Sequence, residues 1–154
     1  MMDCIYSLQP QAVVIVHAET KQSILEQLAR RFAMVYDLDE GEVLERIQER
    51  ERLGSTGFGR GVAIPHARIG GVKNPVVAVL RLEEPVEFEA ADGMPVDLVF
   101  GLLSPENAGA LHLQALAAIS RLARNEAIRE LLADAKDADA IYALINNVTD
   151  RDAA

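Results

Sequence analysis

The sequence predicts an α/β fold: a three-layer sandwich in which a mixed central β-sheet carries helices on both faces. Three observations predict it. Short runs of β-branched and apolar residues at 12–17, 76–82 and 96–103 read as strands. Apolar stripes at helical spacing occupy the first third of the chain and again the last, and strands bracketed by helices at both ends fit a layered sheet. The runs that end at Leu82 and begin at Val96 are joined without a helix, so their pairing is antiparallel or irregular and the sheet is mixed.

Each element has its own signal. Residues 12–17 (AVVIVH) lack alternation, which predicts a strand buried on both faces. Residues 20–32 form a helix with Ile24, Leu25, Leu28 and Phe32 on one stripe. Asp39 is a plausible N-cap for a second helix running through Arg52. Val43, Leu44 and Ile47 are its buried side, opposite a solvated, salt-bridged face of Glu and Arg. Residues 62–64 are a short apolar run that Pro65-His66 ends. After the strand at 76–82, residues 86–88 form a short second one, and Asp92-Gly93 marks a turn. Ser104-Pro105 terminates the strand at 96–103. Leu111, Ala115, Ala118, Ile119 and Leu122 mark a helix, followed by helices at 126–133 and 138–145. Residues 1–10 are weakly patterned, and the polar or small tail 149–154 is expected to fray.

Length and charge narrow the function classes. The 154 residues favour one domain, 1–154, with its core at about 10–147 and no linker or repeat inside 5–148. A net charge of -9 makes nucleic acid a poor partner, because phosphate contacts need Lys and Arg. It also argues against a polybasic membrane dock. The single cysteine, Cys4, allows no intramolecular disulfide and no cysteine-rich metal site, and is read as a weakly ordered N-terminal thiol. No apolar stretch reaches the roughly 20 residues needed to span a bilayer. The N-terminus carries Asp3 and no basic region, unlike a secretory signal, so the expected compartment is a reducing cytoplasm.

Residues 54–61 (GSTGFGRG) hold four glycines in eight positions. The Walker A spacing Gly54-x-x-x-x-Gly59 is present, but Arg60 and Gly61 stand where Lys and Ser/Thr belong. The dinucleotide pattern also fails, because Gly57-x-Gly59-x-x lands on Val62. Glycines allow close backbone approach to a ligand. With the hydroxyls of Ser55 and Thr56 and the upstream Arg50 and Arg52, the segment has the makings of an oxyanion or phosphoryl site. The plain alternative is a hairpin loop with no ligand. His66 follows directly, on a stiff approach, since Pro65 fixes its own φ and restricts Ile64. A neutral imidazole attacks phosphorus near pH 7 and also leaves well, so it can pass a phosphoryl group onward. The competing reading is a surface or capping histidine.

Residues 53–66 (LGSTGFGRGVAIPH) closely resemble the active-site motif of the fructose/mannitol class of enzyme IIA, from bacterial phosphoenolpyruvate-dependent phosphotransferase systems. The resemblance spans roughly 10–147 and includes 95–100 (PVDLVF) and Leu111-His112-Leu113 at a helix start. Within that class it looks most like the stand-alone nitrogen-regulatory branch.

The resemblance implies that His66 carries the phosphoryl group on Nε2, with Nδ1–H held by an acceptor that the sequence does not reveal. It implies that His112 hydrogen-bonds the phosphoryl oxygens or tunes His66, against the alternative of a helix-start residue packed under the loop. Arg50 matches the family arginine sixteen positions earlier and would neutralise charge on the group in transfer, with Arg52 its rival. Ser55, Thr56, Gly57 and Gly59 would form the phosphoryl-binding loop, the hydroxyls serving as phosphoryl or loop-ordering donors. No cofactor and no metal are implied. His17, which no family motif covers, reads as structural. The implied donor is a histidine phosphocarrier protein of the nitrogen branch. The implied targets are regulatory proteins such as sensor kinases, potassium transporters or stringent-response enzymes, so that phosphorylation state serves nitrogen and carbon balance, potassium homeostasis or stringent control. No nucleic acid and no membrane insertion are expected. Two alternatives stand beside it: a free-standing fructose/mannitol IIA serving a separate IIB in sugar uptake, and a phosphorylation-independent anion- or nucleotide-sensing module.

Overall fold

The computed structural model describes residues 5–153, with side chains to Val148. In chain order the elements are β1 (Ser7–Val16), α1 (Lys21–Tyr36), α2 (Glu40–Arg52), β2 (Gly57–Gly59), β3 (Val62–Ala63), β4 (His66–Ile69), β5 (Val76–Val86), β6 (Val96–Pro105), α3 (Ala110–Arg124), α4 (Glu126–Asp134) and α5 (Ala138–Ala153). Six strands form one sheet in the order β1-β5-β6-β3-β2, with β4 also pairing β6. β1 runs parallel to β5, β5 antiparallel to β6, and β3 and β4 parallel to β6. The sheet is therefore mixed.

Alternation along β5 and β6 sorts the core into two layers. Ala78, Leu80, Val99 and Leu103 face Ile24, Leu28 and Phe32 of α1 and Val43 and Ile47 of α2. Val77, Val79, Phe100 and Leu102 face Ala115, Ile119 and Leu122 of α3, Leu132 of α4, and Ile141 and Ile145 of α5. Side chains two apart on a strand share a face, so both layers follow from one sequence pattern. Gly101 sets the α1 spacing: a Cβ there would lie 2.7 Å from Leu28 Cδ1 and 2.8 Å from Phe32 Cε2.

The helix starts follow from their caps. Thr20 Oγ1 accepts the Ser23 N–H at 3.0 Å, and Asp39 Oδ2 accepts that of Glu42 at 2.8 Å. Asn125 does the same for α4, accepting the Ile128 N–H at 3.1 Å. The other end of α4 is held from the sheet. Arg81 on β5 donates to the carbonyls of Leu132 at 2.9 Å, Ala133 at 3.4 Å, and Ala135.

Several expectations are corrected. β1 is an edge strand, and only Ala12 and Val13 are buried in it, because β5 alone lies beside it. Unalternating apolar residues thus mark half-burial here, not burial on both faces. Pro65-His66 does not end the strand region: His66 opens β4. No separate strand forms at 86–88; β5 continues to Val86, and Phe88 is buried in the loop beyond. β6 runs through Ser104-Pro105 rather than stopping there. The ion pairs found for α2 reach beyond the helix, Glu40 to Arg30, Arg46 to Glu106 and Glu51 to Lys21, rather than running along its own face. α5 stays helical past residue 149 to Ala153, so the backbone there is not frayed. Cys4 and Ala154 lie outside the described residues.

Candidate functional site

β3 and β4 are two halves of one strand laid along the same side of β6. Val62 and Ala63 pair with Leu98 and Val99, and His66 to Ile69 pair with Leu102 to Pro105. The break between them is Ile64-Pro65. Proline has no N–H to give the ladder, so the strand cannot run through it unbroken. The Pro65 carbonyl still accepts the Leu102 N–H at 3.0 Å. The Ile64 carbonyl instead turns to the imidazole of His66, 2.7 Å from Nδ1. A carbonyl can only accept, so Nδ1 carries the hydrogen and the neutral ring presents a lone pair at Nε2.

His112 faces this ring. The centroids are 5.7 Å apart with planes tilted by 45°. His112 is the third residue of α3 and only 7% exposed. It precedes Ala115 and Ile119 by three and seven positions, so it belongs to the buried stripe of α3, where Leu111 was expected. Its Nδ1 hydrogen-bonds the fully buried Ser104 Oγ at 2.7 Å.

Electrostatics keep both rings uncharged. Burial lowers the pKa of His66, and the Arg50 guanidinium lowers it further, while the Ile64 carbonyl and Glu51 oppose them. Burial pushes His112 down to about 4, helped by His66 and by Arg68. At neutral pH the pair is therefore two neutral imidazoles with cationic neighbours. Arg68 escaped the sequence reading. It stands two positions after His66 on β4, so both project from one face, while Ala67 and Ile69 pack into the opposite layer. Strand periodicity would have found it, had 66–69 been read as a strand.

The remaining candidates separate. Arg50 lies near His66 and donates from Nη1 to the Gly54 carbonyl at 2.8 Å. Its rival Arg52 lines a groove on the α1 side with Lys21, Gln22 and Glu89. Ser55 donates its hydroxyl to the Phe88 carbonyl at 3.0 Å and accepts the Gly57 N–H at 3.0 Å. Thr56 donates its hydroxyl to Glu51. Of the two roles open to these hydroxyls, ordering the loop is the one their hydrogen bonds perform. Gly57 is required by close packing: a Cβ there would sit 2.6 Å from Ala90 Cα. Gly59, Arg60 and Gly61 all have positive φ, at 114°, 57° and 85°, and turn the chain between β2 and β3. The Asp92 carboxylate accepts the Arg60 N–H at 2.8 Å and holds that tip. His17 is elsewhere, half exposed beside Glu19 and Glu83. A cleft of about 740 Å³ lined by Arg60, Arg81, Asp97 and Arg129 contains neither imidazole of the pair.

A neutral imidazole with a lone pair at Nε2, a guanidinium near it and a second imidazole facing it suits a protein that relays phosphoryl groups, and comparison with known sequences places the chain in such a class. Residues 7–148 match the family described as phosphoenolpyruvate-dependent sugar phosphotransferase system, EIIA 2. The chain belongs to that family and is a phosphoryl carrier of the phosphotransferase system. A nitrogen regulatory protein of Pseudomonas aeruginosa is 42% identical over 139 residues, 90% of each chain. A fructose-specific EIIABC component of Bacillus subtilis is 36% identical over 132 residues, 85% of this chain and 21% of that one. The crystal structure of nitrogen regulatory protein IIA-Ntr from Neisseria meningitidis superposes with a TM-score of 0.82 at 38% identity, covering 90% of this chain and 95% of the other. IIA mannitol from Escherichia coli, with a TM-score of 0.70 and 22% identity over 85% and 94% of the chains, shares the fold. Among the described residues no helix is long and apolar enough to cross a membrane.

Proposed function

We propose that His66 accepts the phosphoryl group, on Nε2, from a histidine phosphocarrier protein of the nitrogen branch, and that its phosphorylation state selects regulatory partners. The observation that carries this reading is the Nδ1–H bond to the Ile64 carbonyl, which leaves Nε2 as the nucleophilic atom. In the transfer, the Nε2 lone pair attacks phosphorus and the bond from phosphorus to the donor histidine breaks. The His66 ring keeps its Nδ1 proton, so the charge it gains points at a carbonyl oxygen. Charge spread over the phosphoryl oxygens meets Arg50 and Arg68, as a loose transition state requires. His112 is the polar neighbour within reach of the group. The whole chain acts as one domain in this reading, free of metal and cofactor.

The regulatory role rests on the nitrogen regulatory relatives, which match 84–90% of this chain and 81–90% of their own length. In this reading the protein works in the cytoplasm, and the targets proposed are sensor kinases, potassium transporters or stringent-response enzymes. A phosphoryl group adds about −1.5 to −2 charge, enough to repel an acidic partner or recruit an arginine-rich one. A sugar-transport role is the second reading, favoured by the 36% identity to the fructose-specific component.

Intact-protein mass spectrometry tests the site. Incubation with phosphoenolpyruvate, enzyme I and the phosphocarrier should add one phosphoryl group to wild type and none to His66→Ala, which should still fold. Uptake by both proteins, or by neither, would refute the assignment. Adding a fructose-type IIB decides the second reading: rapid transfer onto it would favour sugar uptake over regulation.

A further inference from the structure

We propose that Glu51 is a positioning residue for His66, holding the ring in its reactive tautomer through the backbone of Thr56 and Ile64. The proposal rests on the reading of His66 as the phosphoryl acceptor. Glu51 lies in the last turn of α2, with a side chain only 6% exposed. A carboxylate so placed is costly unless its oxygens are satisfied, and here every partner is a charge or a loop donor. Oε2 pairs with Lys21 Nζ at 2.9 Å. Both oxygens accept the Thr56 N–H at 3.2 Å, and Oε1 accepts the Thr56 hydroxyl. Lys21 is itself fixed on α1, with its ammonium 4.7 Å from the centre of the Phe88 ring. Thr56 is thereby tied to two helices within a loop whose next residue, Gly57, has no side chain to hold it.

What Thr56 does with that fixed position reaches the imidazole. Its carbonyl accepts the Ile64 N–H at 2.9 Å, one step beyond the Gly57–Ala63 pair that joins β2 to β3. Ile64 then presents its carbonyl to His66 Nδ1 at 2.7 Å, with Pro65 stiffening the link between them. The sequence of bonds is Lys21 to Glu51, Glu51 to Thr56, Thr56 to Ile64, and Ile64 to His66. Movement of Thr56 would shift the one acceptor that decides which ring nitrogen keeps the hydrogen. A residue that merely stabilised the fold would leave that choice unchanged.

Glu51→Gln keeps the size and removes the charge, and its amide nitrogen cannot accept from Lys21 or Thr56. Thr56→Val removes the hydroxyl and keeps the N–H. Two-bond ¹H–¹⁵N correlation spectra of histidine-labelled protein read the His66 tautomer directly. Wild type should hold hydrogen on Nδ1. Glu51→Gln should populate both tautomers and accept phosphoryl groups about tenfold more slowly or worse, since small misplacements of reacting groups are costly. Thr56→Val should lie between, and Glu51→Asp should recover part of the loss. A folded Glu51→Gln or Thr56→Val protein with the wild-type tautomer and acceptance rate would overturn the proposal. If wild type took up no phosphoryl group at His66, the carrier reading would fall, while the tautomer spectra would still decide the role of Glu51.

Discussion

In the proposed transfer His112 meets the phosphoryl group as an uncharged ring, because burial, the His66 ring and the Arg68 guanidinium push its pKa down to about 4. A phosphoryl dianion on His66, whose ring centre is 5.7 Å away, reverses the sign of the nearest charge. Phosphorylation at His66 should therefore raise the pKa of His112 and draw a proton onto it. NMR titration of both forms checks this: the His112 resonances should move to a higher midpoint in the phosphorylated protein, and an unchanged midpoint would make the ring only a packing residue. The two imidazoles and Arg50 were legible as residue types in the sequence motif. The Ile64 carbonyl was not, since any residue supplies one and only the break at Pro65 turns this one inward. Arg68 was hidden by the same proline, which made 66–69 look like the end of a strand.

Among the elements, α1 is placed by an absence of side chain. Gly101 leaves room on β6 for Leu28 and Phe32 to touch the sheet, where a Cβ would meet them at 2.7 and 2.8 Å. Gly101→Ala should destabilise the fold by roughly 1–3 kcal/mol, the usual range for overpacking a filled core. Urea unfolding measures it; a midpoint equal to wild type would mean α1 moves freely on the sheet. Helices were the most legible elements, because their apolar stripes recur at helical spacing and Asp39 announces the start of α2 by its side-chain chemistry. β1 was legible as a strand but not as an edge, since strand order depends on partners distant in sequence. The three-residue β2 and the four-residue β4 were too short and glycine- or proline-marked to show periodicity at all.

For the whole molecule, the buried histidines set how stability depends on pH. Unfolded, His112 takes a proton near its ordinary value of 6.5; folded, it resists until about 4. Between those values the unfolded state binds more protons, so stability falls as pH falls from 6.5 towards 4 and is unaffected above 6.5. His66, also lowered, acts in the same direction. Asp97, raised by burial, opposes them at the acid end. The melting temperature should drop steadily from pH 6.5 to pH 4 in wild type and less steeply in His112→Gln. Parallel curves would assign the loss to other groups.

The helix whose end is held by the arginine reaching from β5, α4, should open before its neighbours. α4 buries Leu132 alone, whereas α3 buries five residues. Its C-terminal carbonyls are held by Arg81 rather than by a second layer of apolar contacts. Local opening is governed by how few such contacts must be given up. Backbone amides of α4 should therefore exchange with deuterated solvent ahead of those in β5 and β6, and Arg81→Met should hasten that exchange in α4 well before it reaches the sheet. In α4 this carrier holds a cooperative unit that can detach while β4, which presents His66, and α3, which presents His112, stay intact.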